Sequence, residues 1–424
     1  MQETKGQPNT QERIDSLLRD PVLCRSLLKR LEKALDGIDG KSMRFMEVCG
    51  THTVSIFQSG LRSLLPEGVV HLSGPGCPVC VTHDSEVAAF MEMAGKDNVI
   101  ITTFGDLLRV PGPGGRSLKH ALAEGARVRV VYSPLDSLQI ARENPGDTVV
   151  FLGIGFETTA PTVAGTILAA RREGLKNFCV FPLHKLVPPA LTALLSDKEC
   201  RVDAFLLPGH CCMVTGLKPY QFLRDTWHTP GCVGGFEPAD ILLALCMLAE
   251  SLRDRDPRVE NAYPRAVSPD GNPTAMALIR QVYQPRDALW RGLGMIPQSG
   301  RGLRPEYGDM DALERLNVSI HEVPKIPGCR CGDALRAAIT GDVPEYGLLL
   351  DENRKGDLLV RVEADMKTPY EYHLLGMMGD KIGEGIPVFT GLPHTISPEA
   401  LRNLGAQLNT SGAYGMYHIV GCTP

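Results

Sequence analysis

The sequence has no strong excess of either charge: 44 basic residues stand against 49 acidic ones, a formal charge of −5, with no lysine or arginine cluster beyond pairs. That removes the electrostatic ground for nucleic-acid binding. It also lacks a long apolar run. The best stretches, such as Ile241 to Leu248, fall far short of the roughly 20 residues that cross a bilayer, so no membrane role is expected. The polar, mixed-charge stretch from Met1 to Asp20 has no apolar core of a secretory kind, and a cytoplasmic location is the expectation. No low-complexity tract is present. With 43% of residues in the set AVILMFWYC, 22% charged, 44 glycines and 32 prolines, disorder, collagen and coiled coil are excluded.

The 13 cysteines are an odd number in a chain without an export signal. They argue against a structural disulfide framework and for thiols kept reduced unless chemistry oxidises them. What matters is which of these thiols work.

At 424 residues the chain has room for about two to four domains at roughly 100–200 residues each. Residues 11–37 space Leu and Ile at helical intervals, with Gly37 as a stop, and predict one or two amphipathic helices. From about residue 43 the texture changes. MRFMEVCG, GVVHLSG, NVIITTFGD, RVRVVYS, DTVVFLGIG, NFCVFPL and VDAFLLPG each read as a buried strand ending in a turn. SEVAAFMEMAGK, SLKHALAEGA, DSLQIAREN and APTVAGTILAARREG lie between them and read as helices. Strand and helix in alternation predict an α/β fold with parallel sheets covered on both faces. The expected layout is N-terminal helices over 1–42 that pack with a third domain, then two similar α/β domains over 43–140 and 141–252. A helical or irregular third domain over 253–346 and a smaller C-terminal unit over 347–424 follow. The charged, Pro-rich RDRDPRVENAYPRAVSPDGNP reads as a linker or irregular connection. In the last unit GLLL and DLLVRV suggest a hairpin, and PEALRNLGAQLNTSG a helix.

Parallel α/β sheets place ligands beyond the carboxyl ends of their strands, so residues just after a strand are the first candidates. Cys49 and His52, in Glu47-Val48-Cys49-Gly50-Thr51-His52, could share a metal or form a nucleophile–base pair; equally, Cys49 could be a small core residue and His52 a helix cap. Cys77 and Cys80, in GPGCPVC, could form a disulfide or share a metal in an exposed turn, with a nearby helix N-terminus lowering the pKa of Cys77. His210, in LPGHCC, follows another strand; its neighbour Cys212 could simply be core. Gly153-Ile154-Gly155-Phe156-Glu157-Thr158-Thr159 begins like a dinucleotide fingerprint without its third glycine, and Thr158 and Thr159 at a helix start could bind an anion. His184-Lys185 and Glu237, in GFEP, add polar groups at similar positions. Each alone is more often a turn or a helix cap.

In this order, MEVCGTHT, GPGCPVC, TTFGDLLRVPG, GFETTAP, the PGH of LPGHCC, GFEP, NAYPRAVSPDGNP and WRGLGMIP resemble the HypD family of NiFe-hydrogenase maturation factors, from about Met43 to about Gly332. The resemblance implies two similar α/β domains and an assembly scaffold rather than a turnover enzyme. On it, ferrous iron carrying cyanide and carbon monoxide is held between Cys49 and the N-terminal cysteine of a small HypC-type partner. His52 lies near the iron, a HypE-type partner delivers cyanide, and Cys77 and Cys80 cycle between dithiol and disulfide. Soft thiolates suit iron that must stay reduced, and a dithiol can supply two electrons.

The family's third domain also carries a 4Fe-4S cluster. Here Cys329 and Cys331 are followed only by Cys422, short of the usual four thiols unless a histidine contributes. The PGH is followed by CC where a serine is expected. The tail from about Gly347 resembles a fragment of the aconitase X dehydratases, in DMKTPYEYHLLGMMGDKIGEGIPVFTGL and LGAQLNTSGAYGMYHIVGCTP. Two alternatives stand beside the scaffold: a metal-free thiol oxidoreductase using Cys77 and Cys80, and a divergent paralogue or fusion with a dehydratase-like tail.

Overall fold

The computed structural model describes residues 17–323 and, as backbone, the strand segments Gly347–Glu352, Leu358–Glu363, Tyr370–Gly376 and Tyr417–Thr423. The strands up to residue 261 are β1 (Met43–Glu47), β2 (Val69–Ser73), β3 (Val99–Thr103), β4 (Val128–Val130), β5 (Thr148–Gly153), β6 (Phe178–Pro182), β7 (Ala204–Pro208), β8 (Gly231–Gly234) and β9 (Val259–Asn261). The seven strands read from sequence are β1 to β7. Apolar runs such as VIITT in β3, FCVFP in β6 and AFLLP in β7 are buried along their whole length. A strand covered on both faces needs no polar alternation, which is why these runs look continuous.

The strands form two parallel sheets, in the orders β2-β1-β7-β8-β9 and β4-β3-β5-β6. The α/β class therefore stands, with two parallel-sheet units, but the units are not consecutive segments. One comprises residues 1–76 and 201–272, the other residues 77–200 and 273–424. The boundary expected near residue 140 falls inside a crossover. The helix Asp136–Glu143 leads into β5, and β5 pairs with β3 from Val99↔Thr148 onward. The strands β1, β3, β5, β6, β7 and β8 share a largely buried texture although they belong to different sheets, so nothing local says which sheet each joins.

Two further expectations are corrected. The N-terminal helix Pro21–Leu35 packs on the helix Pro238–Arg253 of the first unit, not on a third domain. It buries Leu31, Ala34 and Leu35, the Cys246 thiol donates to the Leu27 carbonyl at 3.2 Å, and Arg30 pairs with Glu250 at 2.7 Å. The segment read as a linker contributes β9, paired with β8 at Gly231↔Val259. Residues 273–323 extend the second unit. The helix Pro273–Val282 is followed by β10 (Tyr283–Trp290) and β11 (Gly294–Leu303), an antiparallel pair.

Each unit has its own core. Phe45, Leu206, Ile241 and Leu245 are among the buried residues of the first, and Phe90, Ile101, Val150 and Phe181 among those of the second. Burying one such side chain stabilises by about 1.5–3 kcal/mol. In the C-terminal region β12 (Gly347–Glu352), β13 (Leu358–Glu363), β14 (Tyr370–Gly376) and β15 (Tyr417–Thr423) pair antiparallel in that order. The hairpin read from GLLL and DLLVRV is β12 and β13. Cys422 falls on the backbone of β15, while Cys329, Cys331 and the helix read over PEALRNLGAQLNTSG lie outside the described residues.

Both sheets have a switch point, where the strand order reverses and a crevice opens beyond the carboxyl ends. In the first it lies between β1 and β7, whose ends lead into Cys49 and His210. In the second it lies between β3 and β5, and β5 leads into Gly155 and Glu157.

Candidate functional site

Cys49 is the N-cap of the helix Gly50–Gln58, two residues beyond β1. Its backbone is extended, and its carbonyl accepts the first helical bonds, from the amides of His52 at 2.8 Å and Thr53 at 3.3 Å. Amides of the first turn, from Thr51 and His52, point at its sulfur, as does the Thr51 side chain. The thiol is 9% exposed. Burial, with the Glu47 carboxylate adding to it, pushes its pKa up to about 11 against the helical amides. It is therefore a neutral thiol near pH 7, and a metal that takes the sulfur displaces a proton.

The GPG that precedes Cys77 builds the wall of this site. The Gly50 amide donates to the Gly76 carbonyl at 2.9 Å and the Gly74 amide to the Glu47 carbonyl at 2.8 Å. A Cβ at Gly76 would stand 2.3 Å from the Cys49 nitrogen, so only glycine allows the two backbones to meet. Glu47 is 1% exposed and accepts from the Cys49 amide at 2.9 Å and the Thr53 hydroxyl at 2.5 Å. Desolvation raises its pKa to about 7 in spite of these bonds and one from Ser73. His71, stacked on Phe45, stands 3.9 Å from that carboxyl group, and burial lowers its pKa to about 4.

His52 is fully buried in the first turn of the helix and is not its cap. Its Nε2 lies 3.0 Å from the Gly235 carbonyl. A carbonyl only accepts, so Nε2 carries the proton; burial lowers the pKa to about 4, which keeps the ring neutral. Nδ1 then presents a lone pair, buried and without a hydrogen-bond partner among the described residues. The ring leans on Phe236 at 4.7 Å, and His210 stacks on Phe236 at 4.0 Å. His210 itself is exposed. Tyr263 meets Phe236 edge-on at 6.1 Å, Arg265 lies over Tyr263, and Arg265 grips the buried Asp240 at 2.6 and 2.5 Å. Glu237 caps the helix Pro238–Arg253 and pairs with Arg19 at 2.5 Å. Its role here is that of a cap.

Cys77 and Cys80 are half-buried rather than exposed. One turn of chain joins them: the Val81 amide donates to the Cys77 carbonyl at 3.1 Å, and the Cys80 amide to the Cys77 sulfur at 3.3 Å. The sulfurs are 2.6 Å apart, so the loop geometry already brings them together. The helix that follows starts only at Asp84, with His83 as its cap. Arg291 secures the exit, through its amide to the Val81 carbonyl at 2.9 Å and its guanidinium to Asp84 at 2.7 Å. Beneath this helix Lys185 and Glu86 form a buried ion pair at 2.5 Å, their side chains 1% and 3% exposed.

The remaining candidates follow β5 and β6. Glu157 accepts the Val187 amide at 3.1 Å, and so caps the helix Val187–Ser196. Gly155 has φ +159 and Thr158 is half-buried before the helix Ala160–Glu173. His184 is buried and held neutral, its pKa lowered to about 3 by burial and then by Arg301. Cys212 is core, at 0% exposed. Sequence reasoning missed Thr53, Ser73, His71, Phe236, Asp240 and Arg265. The first three lie within or one strand from the motifs, and the last two were visible only as parts of GFEPAD and NAYPR.

A family model described as HypD, hydrogenase formation hypA family, matches residues 22–349. The chain belongs to the HypD family. It is 44% identical over 334 residues to the hydrogenase maturation factor HypD of Rhodobacter capsulatus, covering 77% of this chain and 87% of that one. With the HypD of Escherichia coli K12 the identity is 45% over 335 residues, 78% of this chain and 90% of the relative. A putative hydrogenase expression/formation protein of Methanocaldococcus jannaschii is 36% identical over 359 residues, 84% of this chain and 98% of its own length. A second family model, the aconitase X second domain, matches residues 356–424. The C-terminal resemblance is thus a distinct match that begins where the HypD match ends. Among the described residues no helix is long and apolar enough to cross a membrane.

Proposed function

We propose that this chain is an assembly scaffold for hydrogenase maturation, on which ferrous iron is cargo while cyanide and carbon monoxide are attached to it. The reading rests above all on the setting of Cys49: a thiol at a helix N-terminus, three residues before a neutral imidazole whose Nδ1 lone pair has no partner among the described residues. The thiolate is the ligand, and iron binding releases its proton. Cys49 and His52 supply two donors at most, and among the described residues no group of three or more metal-ligating side chains occurs. An iron held here therefore takes further donors from a partner, which suits a HypC-type chaperone contributing its N-terminal cysteine. A HypE-type protein is the cyanide donor. Cys77 and Cys80 supply electrons: closing their S–S bond releases two electrons and two protons, which the cyanide-donating group takes up as its bond to cyanide breaks. Such work belongs in a compartment that keeps thiols reduced, the cytoplasm.

Beyond residue 323 the chain has Cys329, Cys331 and Cys422, one fewer than the four thiolate ligands usual for the 4Fe-4S cluster expected from the family, so a cluster here needs a further ligand such as a histidine. Electrons for the dithiol come from such a cluster or from an external thiol or redox protein.

The test is anaerobic co-purification with a HypC-type partner, followed by infrared spectroscopy and iron and sulfide analysis. Cyanide and carbonyl stretching bands with iron but no acid-labile sulfide support the scaffold. A bound partner without such bands overturns it. A redox-active Cys77–Cys80 pair with neither iron nor partner favours the metal-free oxidoreductase.

A further inference from the structure

The second unit contains a group of buried polar atoms that the scaffold chemistry leaves unused. Among the described residues, both ring nitrogens of His184, 1% exposed, lack a hydrogen-bond partner. So does the hydroxyl of Tyr283, 2% exposed, whose ring meets the imidazole edge-on at 5.6 Å. The Thr159 hydroxyl and the Nε of Arg301, a residue 9% exposed, are also buried and unpartnered. These groups converge. A Cβ built on Gly155 would touch both the Thr159 hydroxyl and, at 3.3 Å, the edge of the His184 ring, while the Arg301 amide donates to the His184 carbonyl at 3.2 Å.

Thr159 is the N-cap of the 14-residue helix Ala160–Glu173, and its side chain makes no capping bond. The first amides of a helix have no intrahelical acceptor and carry its positive end. The charges that act on the imidazole are Arg301, Arg286 and Lys185, all cations. Lys185 is balanced by Glu86, Glu157 faces Arg301, and Asp311 faces Arg286. The donors are an Arg Nε–H, an imidazole N–H and two hydroxyls. Leaving each such group dry and unbonded is unfavourable.

We infer that His184, Tyr283, Thr159 and Arg301, at the start of the helix Ala160–Glu173, bind a small singly charged oxyanion of the carboxylate or bicarbonate type. Two hydroxyls, a guanidinium N–H and an imidazole N–H match the lone pairs of two or three oxygens. The three carboxylates match the three cations one for one, so the unpartnered donors and the helix terminus, not a surplus of positive charge, carry the preference for an anion, and they favour one negative charge over two. His184, Tyr283 and Arg301 are at least nine-tenths buried and the Thr159 hydroxyl is itself covered, which favours an anion of few atoms. This site is independent of iron at Cys49.

The experiment is anaerobic calorimetric titration of the full chain, in a non-coordinating buffer, with sodium formate, sodium bicarbonate and, as an ionic-strength control, sodium chloride. Saturable heat with formate or bicarbonate, and a rise of a few degrees in the unfolding midpoint at saturation, is expected. Stronger binding of formate assigns a two-oxygen ligand, and of bicarbonate a three-oxygen one. Tyr283→Phe and Thr159→Val keep shape and remove one donor each, so each weakens binding about tenfold or more with the circular dichroism unchanged. No saturable heat from either oxyanion, heat that chloride reproduces, or unchanged affinity in both variants overturns the site.

Discussion

The two thiol sites are built alike and placed differently against solvent. Both follow a strand of the same parallel sheet, β1 for Cys49 and β2 for the Cys77–Cys80 loop. Cys49 is sealed to 9%, alone, at a helix N-terminus, with its proton held up to about pH 11. Cys77 and Cys80 are half-buried, with their sulfurs 2.6 Å apart. Desolvation keeps a lone thiol from adventitious oxidation and reserves it for a ligand that can displace its proton, whereas partial exposure leaves a pair open to exchange. Burial, not residue type, is what differs between these two thiol sites.

The strongest way to break this comparison is Cys49→Ala. Complete loss of the infrared bands and of hydrogenase maturation is expected with a normal unfolding midpoint, because a small buried side chain is replaced by a smaller one. Cys77→Ser or Cys80→Ser should instead leave partner binding intact and abolish the two-electron thiol titration; equal loss of iron in all three variants would erase the distinction. Lys185→Met tests the support of the dithiol loop. It leaves the Glu86 carboxylate buried and unpaired, at a cost of about 3–5 kcal/mol, readable in denaturant unfolding. The double change Glu86→Leu with Lys185→Met should recover most of that loss.

Acid stability tests the environments directly. Unfolded imidazoles take up a proton near pH 6.5, whereas folded His71 does so only near 4 and His184 near 3. Between those limits the unfolded chain binds more protons, so stability falls as pH drops from about 6.5 to 4, by about 2–3 kcal/mol per histidine. His71→Gln should flatten that limb. The smallest effect is expected at the surface: Arg30→Ala, which breaks the half-exposed pair with Glu250, should cost about 1 kcal/mol or less by denaturant titration.

Much of this was legible beforehand, and particular elements show why. β1 to β7 and the helices Asp84–Ala94, Leu118–Ala123, Asp136–Glu143 and Ala160–Glu173 announced themselves, because a buried apolar run and a helical spacing are properties of a few neighbouring residues. β8 (GCVG) and β9 (VEN) did not, being short and partly made of glycine or charge, and defined only by pairing with a neighbour. CGTH and GPGCPVC were conspicuous. His71, Asp240 and Arg265 were not, since no spacing rule connects them to Cys49.

By itself the sequence determined the α/β class and the family, because periodicity and motif are local and survive in the unfolded chain. Only the tertiary structure decided that residues 1–76 join 201–272 while 77–200 join 273 onward, since strands of one texture are told apart only by their partners. It also decided the protonation of Glu47, Cys49, His52 and His184, because desolvation is set by everything that surrounds a group and not by its neighbours along the chain.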